Sequence, residues 1–207
     1  MPEWRRRRRC GLIAITGCMR AGKTSYLIQM VTTRETYGGQ KVQVFTPKVD
    51  TRSGLGRIVA QDGFSFPAQT VSHSSEILAR VAPDTDIVAI DEAQFFDEGI
   101  VEVVRKLMRQ REVIVAGLDT DFRGEPFGPM PMLLAIATKI RTLTAICAVC
   151  GEDAYRTQRL VNGEPAHYDD PLVIVGDFGK GVERYEARCL LHHVVLRGKR
   201  ESPEGQV

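Results

Sequence analysis

At 207 residues the chain fits one moderate domain with a small appendage, and it is long enough to bury a sizeable core. Its formal charge of +2 depends on the consecutive arginines Arg5 to Arg9; without them the rest is net acidic, which argues against the excess basic face that nucleic-acid binders use. The apolar stretch from Cys10 to Ile15 is too short for a signal-peptide core and far too short to span a bilayer, so a cytoplasmic location without membrane attachment is expected.

The arginine run is read as part of a solvated tail, residues 1–10, rather than as a tether. Leu12 to Thr16 is a short, partly β-branched apolar run that predicts a strand. Beyond a glycine-containing turn, Leu27, Met30, Val31 and Arg34 recur at helical spacing. Val42 to Thr46 predicts a second strand, and the polar, glycine-containing stretch from Lys48 to Gly63 is expected to be mobile. Ile77, Leu78 and Val81 suggest a helix, Ile87 to Ile90 a third strand. Ile100, Val103, Val104, Leu107 and Met108 form one apolar helical face, and Val113 to Ala116 a fourth strand. Nearly continuous apolar strands alternating with helices predict an α/β fold, a parallel sheet with helices on both faces. From Ala145 the texture changes to paired cysteines, turn residues and short apolar runs such as Leu172 to Val175, which predicts a small metal-stapled lobe. The expected division is a nucleotide-binding domain over 11–144, the lobe over 145–193 and a tail over 194–207.

Gly17-Cys18-Met19-Arg20-Ala21-Gly22-Lys23-Thr24 satisfies G-x-x-x-x-G-K-[ST] between a strand and a helix. Its glycines let backbone N–H groups and the positive helix end face phosphate oxygens, Lys23 reaches the outer phosphates, and the Thr24 hydroxyl can ligate Mg²⁺. ATP or GTP binding follows. Asp91, at the end of the third strand, is placed like the carboxylate that gives Mg²⁺ its second support in P-loop proteins.

What the γ-phosphate is used for depends on Glu92, which could orient a water for hydrolysis or take a proton from a bound hydroxyl. A helicase-type reading of Asp91-Glu92-Ala93-Gln94 usually requires a second nucleotide-closing domain, for which this length leaves no room. Phe95, Phe96, Phe122 and Phe127 instead suggest a pocket for a planar base in the loops after two strands, where open α/β sheets bind ligands. Five cysteines are an odd number, and in a reducing compartment Cys147-x-x-Cys150 suggests metal before a disulfide. Paired with Cys189-x-x-His192 it gives the Cys₃His set of a structural Zn²⁺, with His193 an adjacent competitor for the fourth position. Cys10 and Cys18 read as ordinary buried small residues. A zinc ribbon that binds nucleic acid is the competing reading of the lobe, and the net acidic folded part argues against it.

The combination of "GCMRAGKT", "DTR" (Asp50 to Arg52), "AIDEAQFF", "AGLDTDFRGEPFG", "CAVCGEDAYRTQR" and "YEARC" resembles the type II thymidine kinase family from about Gly11 to His193. The resemblance implies a RecA-like P-loop domain with a zinc-held lobe, a homotetramer, and transfer of the γ-phosphate of ATP to the 5′-hydroxyl of thymidine. It further implies that Glu92 is the general base, that Arg52 lies in a loop near the phosphates, and that Asp91 to Gln94 act with Gly17 to Thr24 at the nucleotide. Met19, Phe95, Leu118, Phe122 and Phe127 are placed around the nucleoside, and Thr157 and Tyr185 in a lobe loop at the thymine edge. Arg159 matches a family position without an assigned role. Arg20 stands where the family usually has an aromatic, and Gly176 to Tyr185 is longer than the usual turn.

Overall fold

The computed structural model describes residues 10–48, 56–172 and 183–198. The Arg5–Arg9 run, Arg52 and the residues from 176 to 182 of the extended turn lie outside the described residues. The elements of the main layer are β1 (Gly11–Thr16), α1 (Lys23–Thr36), β2 (Val42–Pro47), β3 (Arg57–Val59), β4 (Ser65–Pro67), β5 (Gln69–Val71), α2 (Ser75–Arg80), β6 (Ile87–Ile90), α3 (Ile100–Leu107), β7 (Glu112–Gly117), α4 (Met130–Ile136) and β8 (Lys139–Thr142).

Six strands form one sheet in the order β5-β2-β6-β7-β1-β8, and every neighbouring pair is parallel. All residues of β1, β6 and β7 are buried, as a sheet covered on both faces requires. Alternation along the strands divides them between two cores. Leu12, Ala14, Val88, Ile90, Val113 and Val115 pack with α3 and α4, whereas Ile13, Ile15, Ile87, Ala89, Ile114 and Ala116 pack with Leu27, Ile28 and Val31 of α1. At the far end, Arg34 of α1 pairs at 2.5 Å with the buried Glu112 that opens β7, fixing the helix on the sheet. The order brings the C-terminal ends of β6, β7 and β1 side by side, so the segments that leave them share one rim.

Part of the stretch expected to be mobile is structured. β3 and β4 form an antiparallel hairpin that inserts Ile58 and Phe66 into the α1-side core, the one buried residue of each strand. Helix α2 ends at Arg80, and Val81 is already extended. Cys18 is buried, but Cys10, expected to be buried as well, is exposed where the chain enters β1. Among the described residues no helix is long and apolar enough to cross a membrane.

The lobe follows β8. β9 (Ala145–Ile146) pairs with β10 (Asp153–Ala154), and β11 (Arg156–Val161) lies between β12 (Glu164–Pro165) and β13 (Glu183–Arg188). Residues 194–198, expected to belong to a tail, run back along the lobe. The Val194 N–H donates to Gln158 Oε1 at 2.8 Å, and Leu196 bridges to His167.

Candidate active site

The loop after β1 wraps because two of its glycines adopt backbone that other residues resist. Gly17 has φ +142°, and a Cβ there would lie 2.2 Å from the Leu143 carbonyl oxygen; Gly22, the residue before α1, has φ +79°. The first turn of α1 carries no acidic residue, so its positive end is left for an anion. Gly17→Ala should therefore lower nucleotide affinity at least about tenfold (about 1.4 kcal/mol), as read by titration with a fluorescent ATP analogue. Affinity equal to wild type would show that this backbone is not needed.

Lys23 Nζ donates to the Cys18 carbonyl at 2.8 Å across the loop. Burial lowers the Lys23 pKa, against the opposing charges of Glu92, Cys18, Asp91 and Asp119. An ammonium that has lost its water meets phosphate charge at greater strength than a solvated one. The Thr24 hydroxyl donates to Asp91 Oδ2 at 3.1 Å, so the loop after β1 and the end of β6 converge on one point. A hydroxyl and a carboxylate oxygen beside a phosphate loop are hard donors that fit Mg²⁺.

Glu92, next in the chain, has φ +50° and ψ +43°, the left-handed region that costs a non-glycine residue about 1–2 kcal/mol. It precedes a 3-10 turn, Ala93–Phe95, which turns Phe95 toward the segment after β7; the Phe95 and Phe127 rings meet edge to face at 5.5 Å and 88°. Gln94 is buried, its Nε2 donating to Glu92 Oε2 at 2.5 Å and its Oε1 accepting the Leu118 N–H at 3.0 Å.

The lobe closes the other side. The Met19 N–H donates to Thr157 Oγ1 at 3.1 Å, and the Cys18 thiol to the Ala154 carbonyl at 3.4 Å, so the phosphate loop touches the lobe directly. Thr157 and Tyr185 were expected in a loop, and both lie on paired strands, β11 and β13, with Tyr185 opposite Arg159 in register. Arg159, 2 % exposed, packs its guanidinium 5.2 Å from the Phe122 ring centroid, pairs with Glu183 at 2.8 Å and donates to the Pro171 carbonyl at 2.5 Å. It thus joins Phe122 to the strands that carry Thr157 and Tyr185. Sequence reasoning left Arg159 without a role because its partners are distant in the chain.

Cys147, Cys150, Cys189 and His192 bring their ligand atoms within 4.8 Å of one another. His192 Nδ1 lies 3.1 Å from Cys189 Sγ and 3.8 Å from Cys147 Sγ, and Cys150 and Cys189 Sγ are 3.8 Å apart. Tetrahedral Zn²⁺ with bonds of about 2.0–2.3 Å sets its ligands roughly 3.3–3.8 Å apart, so the set fits the ion. Desolvation raises the Cys147 thiol, but backbone groups of Cys189, Cys150 and Val149 and the Cys150 thiol outweigh it and lower it to about 6, favouring the thiolate that a metal takes. His193 turns away: its Nε2 lies 2.8 Å from the Phe122 carbonyl oxygen and ties the second knuckle to the segment after β7. The neighbouring histidines therefore divide between cluster and tie, a distinction that spacing alone leaves open.

Phosphate loop, paired Thr24 and Asp91, and a carboxylate on the same rim define a P-loop nucleotide-binding protein. A family model described as "Thymidine kinase" matches residues 11–193. A protein named "Thymidine kinase" from Coprothermobacter proteolyticus (strain ATCC 35245 / DSM 5265 / OCM 4 / BT) is 50% identical over 185 residues, covering 89% of this chain and 90% of that protein. The chain belongs to the thymidine kinase family, and it is a kinase. Among solved structures, domain III of the Thermotoga maritima replication initiation protein DnaA overlaps 67% of this chain and 56% of its own at 13% identity and a TM-score of 0.39. The Pif1 helicase from Candida albicans overlaps 65% of this chain and 36% of its own at 15% identity and the same TM-score of 0.39. Similarity at that level carries no weight for fold or activity here.

Proposed function

We propose that the protein transfers the γ-phosphate of ATP to the 5′-hydroxyl of thymidine, with Glu92 as the general base. The observation that carries this reading is the position of Glu92: it follows Asp91 directly, is held by Gln94, and lies on the rim shared with Leu118, Phe127 and the Thr157 contact. A carboxylate between the phosphates and an aromatic-lined rim is placed to serve an acceptor hydroxyl rather than bulk water. The backbone N–H groups of Gly17 to Thr24 and the Lys23 ammonium hold the phosphates. Thr24 and Asp91 would hold Mg²⁺, which supplies positive charge to the phosphate oxygens. Glu92 accepts the hydroxyl proton as the 5′-oxygen bonds to the γ-phosphorus and the bond to ADP breaks. Met19, Phe95, Leu118, Phe122, Phe127, Thr157 and Tyr185 surround the nucleoside in this reading, Ala93 and Gln94 complete the turn beside the nucleotide, and Arg52 acts near the phosphates.

Incubation with ATP, Mg²⁺ and each natural deoxynucleoside tests the proposal. ADP release should be greatest with thymidine; equal release with every nucleoside, or none with any, would refute it.

The Cys147, Cys150, Cys189 and His192 cluster is proposed to hold a structural Zn²⁺, since four ligands leave no open position for chemistry. Metal analysis should find about one zinc per chain, and Cys150→Ser should release it and lower the melting temperature, because structural zinc contributes folding free energy. His192→Ala should lose the metal and His193→Ala retain it; the reverse would exchange their roles. The product would serve DNA precursor synthesis. The family resemblance supports a homotetramer, and a Cys₃His metal cluster suits a reducing, cytoplasmic site.

A further inference from the structure

We propose that Gln94 is a positioning residue for phosphoryl transfer, fixing the Glu92 carboxylate to the nucleoside-side segment so that base and acceptor pocket are set as one unit. The inference rests on the reading of Glu92 as the base.

Glu92 stands in the left-handed region, so its backbone alone does not settle the carboxylate in a common helical or extended setting. Its Oε2 accepts from Gln94 Nε2 at 2.5 Å. The amide cannot be turned over, because its other end faces the Leu118 N–H, which only donates; the oxygen must point there at 3.0 Å, and the NH₂ is left for the carboxylate. Gln94 is 3 % exposed, so water does not compete for either bond.

The surroundings hold the amide in place. A Cβ at Gly117 would lie 2.7 Å from Gln94 Oε1, and one at Gly128, where φ is +49°, would lie 2.3 Å from the Gln94 carbonyl oxygen. Both ends of the Leu118–Phe127 segment are therefore cut back to glycine where Gln94 sits. One side chain joins the strained Glu92, the end of β7 and the segment that carries Leu118, Phe122 and Phe127. A displacement of that segment is transmitted through the Gln94 amide to the carboxylate. Misalignment of this kind lowers the rate of the chemical step more than it lowers binding.

The test is a double-mutant cycle between Gln94→Met and Glu92→Gln, with kcat and both KM values measured for each protein. Gln94→Met keeps length and removes both hydrogen bonds. In the native background kcat should fall about 10- to 100-fold while KM for thymidine and for ATP stay within about threefold. In the Glu92→Gln background the same change should cost less than about threefold, because no carboxylate base is left to orient. A multiplicative loss in both backgrounds, or a raised KM for ATP with unchanged kcat, would overturn the proposal and make Gln94 a structural or nucleotide-contacting residue. If Gln94→Met does not fold, Gln94→Glu keeps an acceptor for the Leu118 N–H but sets a second carboxyl group against Glu92; two like charges at that distance raise the pKa of one of them, so the kcat–pH profile should move to higher pH, and a native profile would refute the proposal. Should Glu92→Gln alone retain the native rate, the general-base reading fails first, and this inference with it.

Discussion

Glu92→Gln should lower phosphoryl transfer to thymidine by about 10²- to 10⁴-fold while the affinities for thymidine and ATP change little. Glutamine keeps the length of the side chain and can still meet Gln94, but it offers no basic oxygen to the 5′-hydroxyl. Its effect should appear in kcat, and in the rate of product formation in a single turnover. Glutamine meets the same left-handed backbone, φ +50°, with the same side-chain shape, so the variant should fold as the native protein does. A melting temperature close to native would separate lost chemistry from lost structure. An equal loss in affinity for thymidine would instead make Glu92 a binding group.

Lys23→Ala should lower kcat/KM for ATP by about 10²- to 10³-fold or more. Its Nζ is already held inside the loop by the Cys18 carbonyl at 2.8 Å, and burial has removed much of its water. The ammonium therefore needs little reorganisation when charge gathers on the outer phosphates. Truncation removes that charge from the loop. Lys23→Arg should not restore the rate, because the branched guanidinium does not fit a position shaped for one ammonium. Near-native turnover in the alanine variant would refute the assignment of this loop to the transferred phosphates.

The central sheet was legible because β1, β6 and β7 are continuous apolar runs, and the phosphate loop because its eight residues are contiguous and stand between a strand and a helix. The short edges were not. β8, Lys-Ile-Arg-Thr, has only exposed residues and is a strand because the edge of β1 is beside it, and β5 has three residues whose partner is β2. α4 is masked by Pro129 and Pro131, which read as breakers but fall at its start, where a missing N–H costs nothing. β13, Glu-Arg-Tyr-Glu-Ala-Arg, offers only Tyr185 and Ala187 as an apolar alternation, too short to stand out, and its buried Glu186 is matched by Arg184 and Arg188. Within the site, motif spacing could nominate Glu92 and the four cluster residues. It could not show that Gln94 spans Glu92 and Leu118, that Arg159 lies against Phe122, or that His193 serves the Phe122 carbonyl, since each contact depends on how distant segments are brought together.

The most direct test of acceptor transfer is to measure phosphorylated nucleoside and free phosphate together, with and without thymidine, in the native protein and in Glu92→Gln. The account predicts that native protein with thymidine forms phosphorylated thymidine in step with ADP, that neither product accumulates without thymidine, and that the glutamine variant loses the transfer. Release of free phosphate without thymidine, abolished in the variant, would contradict it, because a carboxylate needed when no acceptor hydroxyl is present would be activating water.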